Sequence, residues 1–202
     1  MSEGATRISS RRRLSREQRR AELLEAALSA FAARGIGEAR HAQIAELAGC
    51  SLSTVFVYFP TREELVAAVL EEVERSLEEM AESIHSRPEP VPDILRAHIT
   101  AFADAIASSP DRARVWLDWS TATREDYWNR YLEFQGQMVE RIAATIRRGQ
   151  REGSVAQTVD AEADARLLVG SAHMIAQMQL TGRPAAETES FIDRMIEAAL
   201  GV

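Results

Sequence analysis

Lysine is absent from this 202-residue chain, and cysteine occurs once, as Cys50. One cysteine excludes an internal disulfide framework and suits a reducing compartment, the cytoplasm. No apolar run approaches the roughly 20 residues that span a bilayer. The opening stretch MSEGATRISSRRRLSREQRR is basic but lacks the apolar core of a secretory leader. The expectation is a cytoplasmic protein with no membrane partner. Catalytic signatures are scarce too. There is no glycine-rich phosphate loop and no nucleophile elbow. The four histidines (His41, His85, His98 and His173) are scattered, with no pair at metal-ligand spacing. Cys50 falls at a turn between two short helices, where a buried structural thiol is expected rather than a nucleophile. The chain therefore does not read as an enzyme: no catalytic residue, no metal site and no cofactor are expected. Period-two alternation is missing as well, so no sheet is predicted.

What is present is arginine, unevenly placed. All 24 basic residues are arginine, against 31 acids, for a net charge of −7. Residues 1–60 nevertheless hold nine arginines against six glutamates, a local +3, which leaves −10 on the rest. The first twenty residues are steeper, with seven arginines against Glu3 and Glu17. A polyanion approaching this end feels the local field within about 10 Å, not the whole-chain sum. The guanidinium fork is also well matched to phosphates.

Helical spacing runs through the rest. Residues 1–14 are polar, basic and aperiodic, and are expected to form a flexible arm. Ser15 with Gln18 fits a capping box opening a helix through Leu24, Ala27, Leu28 and Phe31 to Gly35. A short helix at about 41–48 turns Ile44, Ala45 and Leu47 inward. Gly49 breaks it, and a second, capped by Ser51, ends at Pro60. Thr61 and Glu64 form another capping box for a helix to about Ser86. Its apolar positions are Leu65, Val66, Val69, Leu70, Val73, Leu77 and Met80. After the proline-rich stretch 86–92, helices are expected at about 92–108, 111–121, 124–152, 160–181 and 185–200. The fold class is all-α, with about nine helices. Residues 15–60 would form a helix-turn-helix DNA-binding domain, and residues 61–202 a ligand-binding and dimerisation domain.

The stretch from His41 to Phe59 carries the function. Crossing helices need a small residue where they touch, and Ala45 supplies it. The corner needs a residue that tolerates positive φ, and Gly49 supplies it. Ser51 caps the second helix, while Val55 and Phe59 anchor it inward. Leu52, Ser53, Thr54 and Val57 are left facing outward, where base edges would lie. Gln43, Ser51, Tyr58 and Thr61 join them as candidate DNA contacts, and hydroxyls of this kind can reach phosphates. Arg11, Arg12 and Arg13 would enter the neighbouring minor groove. The same spacing is met by two short core helices with a glycine turn, so a helical adaptor or enzyme without DNA binding stays open as an alternative.

At these residues the sequence resembles the TetR family of regulators: Ile44-Ala45, Ala48-Gly49, Ser51, Tyr58-Phe59 and Glu64-Leu65 look like its DNA-binding signature. The resemblance narrows to the LuxR/HapR-type quorum-sensing master regulators. It does so through Arg13-Leu14-Ser15, the stretch from Phe31 to Gly37, the stretch from Thr54 to Glu63, and Val115-Trp116 with Trp119-Ser120 and Thr123-Arg124. It implies a homodimer that binds a pseudo-palindromic site on double-stranded DNA, with an apolar cavity for a small-molecule effector. By position, the cavity would be lined by Leu77, Met80, Trp116, Tyr131, Gln135, Met138, Leu168 and Ala172. The subgroup usually has asparagine where this chain has Val57. Asparagine can read adenine bidentately, whereas valine can only touch a thymine methyl. A ligand-released repressor of a local efflux or catabolic operon is an alternative on the same fold.

The C-terminal half, read alone, shows two broad apolar stripes: Leu167, Leu168, Ala172 and Ile175, then Phe191, Ile192, Met195 and Ile196. A stripe so wide needs partners on two sides. A four-helix dimer interface through Leu167, Ser171, Ile175, Phe191, Ile192, Met195 and Ile196 would supply them, and so would a core within one subunit.

Overall fold

The structure, a computed structural model, describes residues 15–123 and 126–201. The expected arm, with Arg11, Arg12 and Arg13, lies outside the described residues. Among them are nine helices and no strand.

Local chemistry sets most of the boundaries. In α1 (Arg16–Arg34) the Ser15 hydroxyl accepts the Gln18 N–H, and the Gln18 side chain accepts the Ser15 N–H in return. The helix stops where Gly35 takes φ +86°. Next come α2 (His41–Leu47) and α3 (Leu52–Tyr58). Leu47, expected to face inward, is 58% exposed. His41, Ile44 and Ala45 define the buried face of this two-turn helix, and Leu47 lies more than a quarter turn away from it at about 100° per residue. In α4 (Arg62–His85) the Thr61 hydroxyl accepts the Glu64 N–H. The remaining helices are α5 (Val91–Ser108), α6 (Pro110–Thr121), α7 (Trp128–Glu152), α8 (Ala161–Leu180) and α9 (Ala185–Leu200). Prolines at the first turns of α5 and α6 need no N–H partner there. The α7 helix begins four residues later than the spacing predicts.

Helices α1, α2 and α3 pack together at one end, and α4 leads away from them. Beyond it, α5 and α8 pack on each other and each packs on α7 and α9, and α6 touches α1, α4, α5, α7 and α8. One apolar cluster runs from Leu23 through to Leu200.

Both apolar stripes are partly consumed inside the chain. Ile175, Ile192, Met195 and Ile196 are buried where α8 and α9 pack on each other and on α5. An Arg96–Asp193 ion pair also ties α5 to α9. What faces outward on α8 is Leu167, 51% exposed, and Met174, 49% exposed, with Gly170 between them. Ser171 and Phe191 are half-buried.

Candidate nucleic-acid interface and enclosed cavity

The corner between α2 and α3 is rigid for identifiable reasons. Gly49 sits at φ +59°, the Cys50 N–H reaches Ala45 O at 3.0 Å, and the Gly49 N–H reaches Glu46 O at 3.1 Å. This paired closure satisfies the last carbonyls of α2 and requires the left-handed conformation that glycine adopts freely. Cys50 is half-buried rather than fully buried. On α3, Val55 and Phe59 are 0% and 2% exposed, so the helix is anchored along one edge. His41 adds a second anchor: its Nε2–H donates to Phe59 O at 2.8 Å, and its ring stacks on Phe56 with centroids 4.5 Å apart. The sequence carries no signal for that contact, because it joins the start of α2 to the end of α3.

Of the four residues expected to face outward, three are exposed. Leu52, Ser53 and Val57 are exposed, Val57 by 67%, while Thr54 and Tyr58 are half-buried. Ser51 Oγ accepts the Thr54 N–H at 3.2 Å and lies 2.8 Å from both Ser53 Oγ and Thr54 Oγ1. The three hydroxyls therefore hold each other in place before any ligand arrives. Gln43 is partly committed, since its side-chain oxygen accepts the Arg40 N–H at 2.9 Å. Thr61 uses its oxygen as a cap, and its O–H has no partner among the described residues.

Helix α6 grips this end of the molecule. Asp118 Oδ2 accepts the Ile36 N–H at 2.6 Å, and Arg62 donates to Ile36 O at 2.7 Å and Gly37 O at 2.8 Å. The loop after α1 is thus held by α6 on one side and by the first residue of α4 on the other. Asp111 accepts the Ser29 hydroxyl at 2.9 Å, and Arg112 pairs with Glu25 at 2.6 Å. The opposite flank of α6 carries Trp116, which forms part of a cavity wall.

That cavity has an interior volume of about 60 Å³ and widens into an open mouth. Its lining brings together Leu77, Met80, Trp116, Tyr131, Gln135, Met138, Leu168 and Ala172. Helix α5 contributes Leu95, His98, Ile99 and Phe102, which the sequence did not point to. Among the described lining residues none is charged, and polar atoms come only from His98, Trp116, Tyr131 and Gln135. The Gln135 amide points at the Tyr131 hydroxyl across 3.4 Å. Burial raises the Tyr131 phenol above its ordinary value, so it stays a neutral hydroxyl. The Trp116 ring meets Phe102 edge-on at 5.5 Å and lies against His173 at 4.7 Å.

Behind the cavity, two of the scattered histidines meet. His85 Nε2 and His98 Nδ1 are 2.8 Å apart, and His85 Nδ1 is 2.7 Å from Thr145 Oγ1. Burial pushes His85 down to about 3, helped by His98, Arg141 and Arg148. Burial also pushes His98 down to about 4, helped by Arg141. Both rings are therefore uncharged near neutral pH. The fold makes this pair by turning the chain back through the proline-rich loop, a relation with no sequence period.

Two family profiles match the chain: residues 23–69 fit "Bacterial regulatory proteins, tetR family", and residues 88–177 fit "Tetracyclin repressor-like, C-terminal domain". The HTH-type transcriptional regulator LuxR of Vibrio harveyi is 42% identical over 123 residues; that match covers 58% of this chain and 58% of LuxR. The HTH-type transcriptional repressor SCO4008 of Streptomyces coelicolor is 30% identical over 192 residues, 91% of this chain and 94% of that one. Among solved structures, the regulator FadR of Bacillus subtilis in complex with stearoyl-CoA superposes with a TM-score of 0.73 at 16% identity, covering 89% of this chain and 97% of FadR.

Proposed function

This chain belongs to the TetR family of DNA-binding transcriptional regulators, and on that premise we propose that it works as a homodimer on a pseudo-palindromic operator. Each subunit seats α3 in the major groove, with residues 15–60 as the DNA-binding unit and 61–202 as the regulatory unit. The observation that carries this reading is the polarity of α3: Val55 and Phe59 are locked inside, while Leu52, Ser53 and Val57 face outward. Arg11, Arg12 and Arg13 extend the contact to phosphates or the minor groove. An apolar effector in the cavity shifts the balance between DNA-binding and released states, with α6 as the shared part. FadR, the structural relative, holds an acyl-CoA, which supports an effector with a long apolar part. The likeness to LuxR supports a quorum-sensing role acted out in the cytoplasm.

Selection of preferred duplexes from a random pool tests the DNA reading. The wild-type protein is expected to enrich a two-fold symmetric site, and enrichment of no sequence sinks the proposal. Val57→Asn is expected to change the preferred base at one position per half-site. The change moves it from thymine, read by methyl contact, toward adenine, with a discrimination of about 1–3 kcal/mol.

The dimer surface is assigned to the outer face of α8. Leu167, Gly170, Ser171 and Met174 recur there every three to four residues, and the half-buried Phe191 of α9 is the next candidate. Leu167→Glu with Met174→Glu is expected to give a folded monomer by sedimentation and at least a tenfold loss of operator affinity. An intact dimer in that variant would move the interface elsewhere. The near full-length likeness to SCO4008 favours a second reading, a repressor of one local operon. Genome-wide footprinting separates the two: one site supports the local repressor, many dispersed sites the master regulator.

A further inference from the structure

A chain of three hydrogen-bonding side chains ends at the cavity wall. Thr145 stands on α7, His85 is the last residue of α4, and His98 lies on α5. The Thr145 hydroxyl donates to Arg141 O, one turn back, at 3.0 Å. With that hydrogen on Arg141 O, its oxygen is left to accept from His85 Nδ1, and this assignment puts the His85 hydrogen on Nδ1. A neutral imidazole has one N–H and one bare nitrogen. His85 Nε2 is then bare and accepts the hydrogen on His98 Nδ1. That leaves His98 Nε2 as a lone pair without a partner among the described residues, on a ring 8% exposed that lines the cavity. Trp116, on the same wall, has an indole N–H with no partner among the described residues.

We propose that His98 Nε2 is the polar anchor of the cavity and that the effector is an uncharged amphiphile, an alkyl chain or ring system whose hydroxyl donates to it. The proposal rests on the reading of the cavity as the effector site. His85 and Thr145 are positioning residues: they fix which nitrogen of His98 is bare. The wall favours this ligand class by what it offers. A carboxylate or phosphate would give up its hydration for a wall whose donors are only an indole N–H, a phenol and an amide, with no cation among the described lining residues. An ether of the same size would fill the apolar space but leave the nitrogen unsatisfied, and sites built around a hydrogen bond discriminate strongly against analogues that lack it.

The test uses purified full-length protein, titrated at pH 7.5 with 1-decanol, its isomer 1-methoxynonane, and decanoate, and read by tryptophan fluorescence and calorimetry. The alcohol is expected to bind at least tenfold more tightly than the ether or the carboxylate. His98→Leu should bring alcohol and ether to equal affinity. Thr145→Val should narrow the ratio by releasing the ring orientation, and Thr145→Ser should keep it. Nitrogen-15 NMR of labelled histidine in the wild-type protein does not depend on any variant folding, and should show both rings protonated at Nδ1 and bare at Nε2. Protonation of His98 at Nε2 overturns the proposal. So does equal binding of alcohol and ether, or a preference for decanoate, while either leaves the cavity standing as an effector site. Binding of none of the three overturns both readings.

Discussion

Lowering the pH from about 7.5 to about 5 is expected to remove about 4 kcal/mol of folding free energy through two side chains, His85 and His98. Both are pushed down in the folded chain, to about 3 and about 4, from an ordinary value of 6.5. The unfolded chain binds a proton at each as pH falls through 6.5, and the folded chain does not until far lower. Stability is therefore fully present above the unfolded value and drains away as the solution is acidified below it. Each histidine contributes about 2 kcal/mol by pH 5 at 2.303RT per proton per pH unit. The half-buried His173, also lowered by burial, adds to the slope in the same direction. Denaturant unfolding at fixed protein concentration across this range measures it. The paired variant His85→Leu/His98→Leu should flatten most of the slope between pH 7 and 5. A wild-type curve flat over that interval would mean the rings are charged or exposed in solution.

The second large effect sits in α7, where two glycines in one helix should answer substitution in opposite ways. A Cβ at Gly149 would lie 2.6 Å from Val155 Cγ2 and 2.8 Å from Val91 Cβ. Val91 and Val155 are 0% and 4% exposed, and a Cβ cannot swing aside as a flexible chain end can. Gly149→Val must push the start of α5 away from α7, and overpacking of this kind costs about 3 kcal/mol. For a chain of this size that is a fall in Tm of about 6–12 °C. His98 lies two turns along α5 from Val91, so the cavity should loosen with it. At Gly136 a Cβ meets nothing within 4 Å, and the helix there is ordinary. Gly136→Ala is expected to stabilise by about 0.5–1 kcal/mol, because alanine has less backbone freedom to lose. Calorimetric melting of both variants checks the contrast. Equal behaviour would mean α5 and α7 are not packed this closely.

The elements read most clearly from sequence were those set by neighbours in the chain. The Ser15 capping box, the Gly49 corner and the Ser51 cap involve residues within a few positions of each other, and all three formed as expected. The eight cavity residues were placed by family likeness, one stretch of which includes Trp116. Contacts between distant elements left no such trace. Asp118 binds the Ile36 N–H across 82 positions, and nothing about an aspartate on a helix announces that partner. His85 and His98 looked scattered because only the turn through the proline-rich loop makes them neighbours. Ile175, Ile192 and Ile196 show a different ambiguity. A wide apolar arc says that a helix needs partners on two sides but not whose they are, and here α5 fills one of those places from within the chain.

The sharing of α6 between two tasks constrains how this protein can change over generations. One flank of that short helix shapes the cavity through Trp116, and the other holds the loop after α1 through Asp118. Under the proposed function, substitutions that retune ligand choice at Trp116 should disturb operator grip as a side effect. Those at Met138, Leu168 or Ala172, on α7 and α8, are free of that penalty. New ligand preferences should therefore arise first on the α7–α8 wall, with Trp116 among the last positions to vary.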